Sequence, residues 1–600
     1  GSLSLAGQTG LGVNITGTAR SHDSYLTQEL NRVSAESNQA DTQYQLNARL
    51  DNLLSNSATG LTSYLNNLGA AADNVSLSPA TSAERQVMLS EAQNLSAGFQ
   101  TISKEISSLS QEANGRISDS VRDLNSLTGR VAELNNEIAL ASANGQTPND
   151  LLDQRDALVQ ELAGKVSIQT LARGNGELDI FTRSGESLVQ GGNSRELSTT
   201  LDPLRPERML ILNQDGANIT ADMGSGEIGG LLNFRTQVLE PARDELGRIA
   251  TALAHEFNSQ QNQGLDLDGN LGADLFSVPE PRVIDFNTNL GAGSINAAIA
   301  NGSALTTSEY TLTSVDGANL YTLTRGSDGA TFNIDTAGAP SFTTSAIDGV
   351  EFTINAGAAT GDSFLIQPVQ HAAQDISVTL TDPRGIAAAS PVVGSVNAAN
   401  VGSAGIDAIE ISATTNLPLN AAPVGGDISL SFDAVNNEYT LIPDALLEGP
   451  LAYDPSTDAA GKSFSLLGGS MTITLSGTPA HGDELTLSHN ANGSGDNRNA
   501  LKLQQVLSDG LLDGGNTSIG DGYTGLMSQV GSKTQSSETS AATFGNMVSQ
   551  MQSLRDGVSG VNLDEEAANL IKFQQAYRAS AQVISAADDL FNTLIQVVGR

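Results

Sequence analysis

From Leu570 onward the chain sets apolar residues three and four apart without interruption. Leu570, Phe573, Tyr577, Ile584, Ala587, Phe591, Leu594 and Val598 fall on one stripe, with Ser580 its one polar member. A sustained heptad puts such a stripe along one helix face, which must meet a partner helix or stay in water. The spacing therefore predicts a helix built for assembly over residues 561–600. A core helix of an ordinary globular domain can carry the same pattern, so the rest of the chain has to decide between them.

Six hundred residues exceed what one hydrophobic core serves, and three or more domains are expected. Aromatics make up only 4 %, with no Trp and no Cys, which favours long helices and thin β domains over thick cores. Lack of Cys excludes disulfides, thiol catalysis and thiolate metal sites. A formal charge of -38 argues against nucleic acid and anionic membrane as partners, since both require basic patches. No apolar run approaches the roughly 18 residues of a membrane span, and no cleavable signal pattern is seen. Gly1-Ser2 reads as a cloning remnant, with the native start expected upstream.

A short β-like opening, Leu11 to Ile15, leads past Arg20 to a helical stretch from about Asp23 to Leu54. Thr81 with Glu84 three residues on reads as a capping box, preceded by Pro79. Leu95, Phe99, Ile102, Ile106, Leu109, Ala113, Ile117, Val121, Leu124, Val131, Leu134, Ile138 and Ala141 then mark one face down to an Asn144-Gly145 stop. At about 1.5 Å per residue this is a rod of roughly 90 Å, longer than a compact domain needs. A third helix is expected from Thr147, with Pro148 in its first position and Asp150 near its positive end. From Val166 the period changes to that of strands, to about residue 228. A helix returns at Pro241 and carries Leu246, Ile249, Leu253 and Phe257 inward to Gln263-Gly264.

Beyond Pro281 the chain reads as β to about residue 490, and it repeats. Tyr310-Thr-Leu312, an Asp316-Gly317 turn and Tyr321-Thr-Leu323 describe a hairpin; Tyr439-Thr-Leu441 sits in a similar place, after Ile428, Leu430 and Phe432. Gly349, Ile354, Gly357, Gly361-Asp362 and Phe364 match Gly469, Thr474, Gly477, Gly482-Asp483 and Leu485, with one residue inserted between the last two glycines. The period of about 120 residues predicts two small β domains of one topology, separable from the helices.

The search for chemistry finds little. His22, His255, His371, His481 and His489 are scattered, and neither an HExxH pair nor a GxSxG elbow is present. Asp266-Leu-Asp268-Gly-Asn270-Leu-Gly272-Ala-Asp274 spaces oxygens like a calcium loop, but Leu271 and Ser277 stand where an EF-hand wants Gly and Glu. A tight turn held by Asx side chains is expected there. Gly174-Asn-Gly176 lacks the following helix that phosphate binding requires. Asp564, Glu565 and Glu566 fit a helix start after a cap at Asn562. No catalytic, cofactor or metal residue is assigned, and the expected site is the apolar stripe.

Several segments converge on a known family. Pro148-Asn-Asp-Leu-Leu-Asp-Gln-Arg-Asp156, Gly264-Leu-Asp-Leu-Asp-Gly-Asn-Leu-Gly272, Asp496-Asn-Arg-Asn-Ala500, Ser559-Gly-Val-Asn-Leu-Asp-Glu-Glu-Ala567 and Phe573-Gln-Gln-Ala-Tyr577 together resemble the bacterial flagellar hook-associated protein 1 family, the hook-filament junction proteins. The ending alone marks only the wider flagellar axial group. The resemblance covers roughly residues 10–290 and 490–600 and is weak over the repeated β region. At its start the chain departs from the family, whose N-terminal helix, the partner of the C-terminal one, is expected to be absent.

The resemblance implies an α+β multidomain fold: a long antiparallel, coiled-coil-like rod formed by N- and C-terminal segments, with β-rich outer domains inserted between them. The expected parts are rod 1–165, a small β subdomain 166–228, a helical return 229–285, β repeats 286–375 and 401–490 around a connector 376–400, rod 491–560 and the assembly helix 561–600. It further implies export through the flagellar type III apparatus without a cleaved signal, and an extracellular place in the flagellum as a ring between hook and filament. The implied partners are hook protein, hook-associated protein 3, further copies of the chain, and an export chaperone that takes the C-terminal stripe. Another axial protein, hook-associated protein 3 or a flagellin, is opposed by the Pro148–Asp156 and Asp496–Ala500 motifs. A surface adhesin with repeated β domains would leave the terminal heptad unexplained. An enzyme ranks last, for want of acid, base or nucleophile.

Overall fold

Asp23 opens the first helix by accepting the N–H groups of Tyr25 and Leu26 at 2.9 and 3.2 Å, which satisfies donors a helix start leaves unpaired. In this computed structural model, which describes residues 22–56, 60–144, 147–443, 449–559 and 563–598, helix α1 runs Ser24–Ser55. Helices α2 (Leu61–Leu77), α3 (Ser82–Ala143) and α4 (Asn149–Lys165) follow. The expected opening at Leu11–Ile15, the Gly145 stop and the Asn562 cap lie outside the described residues.

The 62 residues of α3 bury the face that periodicity marks, with Leu134 and Ala141 half-buried near its end. Thr81 sits at its start, but its side chain makes no capping bond. The first turn is instead held by buried Arg85, whose guanidinium donates to the Pro79 carbonyl at 2.9 and 2.7 Å and to that of Ile386. Pro148 is the residue before α4 and not its first helical position.

Strands β1 (Ile168–Ala172), β2 (Leu178–Thr182), β3 (Ser187–Gln190) and β4 (Asn193–Ser194) form an antiparallel sheet, and β5 (Ser198–Leu201) pairs with β6 (Met209–Leu212). Three asparagines of α3 clip these strands to the rod through both ends of their amides. Asn114 takes Glu207 O and Met209 N–H at 2.7 and 3.1 Å, and Asn125 takes Leu197 O and N–H at 2.8 and 2.9 Å. Asn135 takes Leu178 O and N–H at 2.8 and 3.0 Å.

The helix expected at Pro241 begins fifteen residues earlier. Helix α5 (Gly226–Phe234) passes through a π turn, Arg235–Leu239, into α6 (Glu240–Asn262). A proline lacks the N–H of the regular ladder and crowds the preceding turn, and the wider π turn accommodates it without ending the helix.

Among the described residues two sets of eight strands follow. The first comprises β7 (Arg282–Asp285), β8 (Ser294–Ile299), β9 (Tyr310–Ser314), β10 (Leu320–Arg325), β11 (Thr331–Asp335), β12 (Ser341–Thr343), β13 (Val350–Asn355) and β14 (Ser363–Gln367). After the short α7 (Ala372–Asp375) come β15 (Val392–Val396), β16 (Gly405–Ile411), β17 (Ile428–Asp433), β18 (Glu438–Ile442), β19 (Leu451–Ala452), the one-turn α8 (Pro455–Asp458), β20 (Lys462–Leu466), β21 (Met471–Ser476) and β22 (Glu484–His489). The first set forms sheets β11-β10-β9-β14-β7 and β12-β13-β8; the second forms β19-β18-β17-β22-β15 and β20-β21-β16. Strand for strand these are the same topology. The first hairpin pairs Leu312 with Leu323, and its counterpart pairs Leu430 with Leu441.

Two details differ from the sequence reading. The second set already starts at Val392, within the stretch 376–400 expected to be a connector, because β15 is the edge strand beside β22. Along the repeat, Val350, Phe352 and Ile354 bury the same face as Met471, Ile473 and Leu475, so Ile354 corresponds to Leu475 and not to Thr474. A one-residue slip exchanges the two faces of a strand.

The chain then returns through α9 (Arg498–Val506) and the hairpin β23 (Gly510–Leu512) with β24 (Thr517–Ser518) to α10 (Ile519–Ser559) and α11 (Leu563–Val598). Helix α10 runs antiparallel to α1: Leu54 meets Tyr523, Asn47 meets Ser537 and Tyr44 meets Glu538. Among the described residues three cores form, one through the helical body and one in each strand set.

Candidate assembly surface

Helix α11 carries the predicted stripe, and the structure places it in solvent. Leu570, Phe573, Tyr577, Ile584, Phe591 and Leu594 are between 59 and 75 % exposed, and Ala587 and Ser580 are exposed beside them. Val598 closes the helix; its side chain is not among those described. Ile571, Val583, Leu590, Ile595 and Val597 are open as well, so the helix presents a broader apolar surface than the heptad. Monomeric proteins rarely expose contiguous apolar surface on this scale. Its neighbour α10 is covered by α1 through its first half only: Leu526 and Val530 are buried, whereas Leu554 and Val558 are exposed.

Residues weighed for chemistry stay apart. His22 lies 3.8 Å from Asp156, His255 3.2 Å from Glu256, and His481 3.4 Å from Asp433, in three unlike places. Asp266 Oδ1 accepts the N–H groups of Asp268 and Asn270, both at 2.8 Å, and Asp268 pairs with Arg384. This is the tight Asx turn expected. Gly176, at φ +88, closes the β1–β2 turn. Among the described residues no group of three or more His, Asp or Glu could hold a metal ion, and no helix is long and apolar enough to cross a membrane.

A cavity of about 980 Å³ opens between α3, the β5–β6 hairpin, the start of α6 and the segment after β14. Several charges in and around it pair with one another. Arg243 pairs with Glu207 at 3.2 Å and with Asp244 at 2.8 Å, and Arg208 pairs with Glu240 at 2.7 Å. Burial pushes the Asp244 carboxyl up to about 6, outweighing the attraction of Arg243. Burial, and then Arg282, hold the His371 imidazole below its ordinary value. The hydroxyls of Ser107 and Ser110 donate to the carbonyls of Ser103 and Glu207 at 2.9 and 3.3 Å, so neither is placed against a base.

Sequence reading missed a device built twice. Asp362 accepts the N–H groups of Leu290, Gly291 and Ala359 at 2.8, 2.9 and 2.7 Å. Asp483 accepts those of Val401, Gly402 and Ala480 at 2.9, 2.8 and 2.8 Å. The repeated Gly-Asp pair was its signal, but two of the three bonds in each set reach some seventy to eighty residues back, where no local pattern shows them.

Comparison with known proteins agrees in each region. A family model described as the flagellar hook-associated protein FlgK helical domain matches residues 47–276. Another, flagellar hook-associated protein 1, D2-like domain, matches residues 285–368, and the flagellar basal body rod FlgEFG protein C-terminal model matches residues 557–597. Flagellar hook-associated protein 1 of Escherichia coli strain K12 is 28% identical, over 99% of this chain and 91% of its own length. That of Salmonella typhimurium is 29% identical over the same shares. The solved structure of the flagellar hook junction protein FlgK from Burkholderia pseudomallei superposes with a TM-score of 0.78 at 30% identity, covering 89% of this chain and 100% of that one.

Proposed function

The chain belongs to the flagellar hook-associated protein 1 family, and from that footing we propose that it joins hook to filament by axial self-assembly through its helical rods. The observation that carries this reading is the open apolar face of α11, in a chain whose helices α1 and α10 already pair antiparallel. Burying a Leu or Phe contributes about 1.5–3 kcal/mol per side chain, so a seam that holds Leu570, Phe573, Phe591 and Leu594 among its eight positions can hold subunits together. Leu570, Phe573, Tyr577, Ile584, Ala587, Phe591, Leu594 and Val598 form that seam, first with an export chaperone and then with neighbouring copies in a ring. Hook protein lies on one side of the ring and hook-associated protein 3 on the other. The chain leaves the cell by flagellar export, without a cleaved signal, and performs no catalysis.

Electron microscopy of a strain lacking the gene tests the proposal. Hooks without filaments, with filament subunits lost to the medium, are expected. Normal filaments would overturn it.

A further inference from the structure

The segment Asp496-Asn-Arg-Asn-Ala500 divides its side chains between two bodies. Asn497 and Asn499 turn to the helices. The Asn497 amide donates to Ser76 O in α2 at 2.8 Å; that of Asn499 donates to Ala387 O at 2.6 Å and accepts from Gln260 of α6 at 2.6 Å. Asp496 and Arg498 turn the other way, to the second strand set. Asp496 Oδ2 accepts the Ser390 N–H at 3.2 Å and the Asn490 amide at 2.7 Å. The Arg498 guanidinium donates to that same oxygen at 2.6 Å and to Val392 O at 2.9 Å. Ser390 lies just ahead of β15, and Asn490 directly follows β22. One carboxylate thus ties the incoming segment to the outgoing one, and one guanidinium fastens both to α9.

The first strand set stands on a different stalk. There Ser277 N–H donates to Ser377 O at 2.8 Å and Thr379 N–H to Leu275 O at 2.9 Å, a main-chain ladder with no charge in it. Asp496 is held ionised: burial alone would raise its carboxyl, but the Arg498 guanidinium and the N–H groups aimed at it keep it below the ordinary value.

We propose that Asp496 and Arg498 are positioning residues, an ionic latch that sets the angle at which the β15–β22 sheets stand on the helical body. A chain without cysteine allows the test to be made on the whole protein. Spin labels at Glu105→Cys and Val435→Cys report the second set against α3; labels at Glu105→Cys and Leu290→Cys report the first. In Asp496→Ala the distance distribution to Val435 should broaden about twofold, as for a freed hinge, while the distribution to Leu290 and the thermal melt stay as they were. Arg498→Gln keeps the carboxylate and its N–H partners, and serves should the first variant fail to fold; the same selective broadening is expected. An unchanged width to Val435 overturns the latch. Equal broadening of both distances overturns it too, since that would mark a residue needed for general packing.

Discussion

The phenol of Tyr523 donates to the main-chain carbonyl of Leu54 at 2.8 Å, inside the core and 469 residues away in sequence. Leu54 lies in the last turn of α1, where helical carbonyls have no partner of their own. The bond therefore fastens the C-terminal rod helix to an end of the N-terminal one that would otherwise be left wanting. Tyr523→Phe should lower the unfolding free energy by about 1–3 kcal/mol, the range for orphaning a buried acceptor. Urea denaturation followed by circular dichroism measures it; no loss would show that the carbonyl is satisfied by other means.

Asp362 and Asp483 lead to a comparison within one molecule. Each carboxylate collects three backbone N–H groups that fix the loops at one end of its own strand set. Asp362→Asn should make residues 282–367 more sensitive to limited proteolysis and leave 392–489 as resistant as before, with Asp483→Asn doing the reverse. For Asp362 the Leu290 N–H leads the N–H groups that lower its carboxyl; for Asp483 they overcome the raising effect of burial. This stability is present above the ordinary value of 3.8 and lost as pH falls through the lower native one.

Asp244 has the opposite sign. Its carboxyl is raised from 3.8 to about 6, first by burial, so the native state holds the proton more tightly than the unfolded chain. Its contribution is complete below the unfolded value and is lost as pH rises through the native one. Between pH 4 and 6 the group should remove on the order of 2 kcal/mol, at about 1.4 kcal/mol per unit where the slope is full. Urea denaturation across that range should show the decline, and Asp244→Asn should flatten it. An identical slope in the variant would assign the effect elsewhere.

Legibility followed the kind of interaction. The stripe on α11 and the face of α3 were readable because each repeats locally at helical spacing. Helix α5 was not, because its glycines look like breakers; yet Gly230 lies so near α1 that a Cβ would stand 2.7 Å from Gln39 O, and Gly226, at φ +70, presses on Lys165. Close packing, which a sequence does not display, demands glycine at both. The Asn114, Asn125 and Asn135 clips and the Asp362 and Asp483 clamps join residues far apart in the chain, and each asparagine or aspartate alone reads as a surface residue.

For α11 itself, Phe573→Asp with Leu594→Asp puts two charges into the proposed seam and should abolish both chaperone binding and incorporation at the hook tip. Both side chains are exposed in the free chain, so the thermal melt of the helical body should not move. Pull-down with the chaperone and calorimetry on the same variant give the two readings. A lowered melting point with chaperone binding intact would make the stripe a core face.

The strand sets differ in how cleanly they can be cut away. Removing 281–490 as one piece was expected to leave the helices untouched, but Ile376, Ile386 and Ala388 lie between the two sets and are buried in the core of the helical body. Arg85 and Gln100 also donate to the carbonyls of Ile386 and Ile376, so the segment seals the flank of α3. Replacing 392–489 alone with a short linker should preserve the helical circular dichroism and its melting point. Replacing 282–489 should destabilise the body by several kcal/mol, at about 1.5–3 kcal/mol for each large apolar side chain withdrawn, with a further loss where Arg85 is left buried beside an empty flank. Equal melting points for the two deletions would show that the segment between the sets only rests on the body and does not help to hold it together.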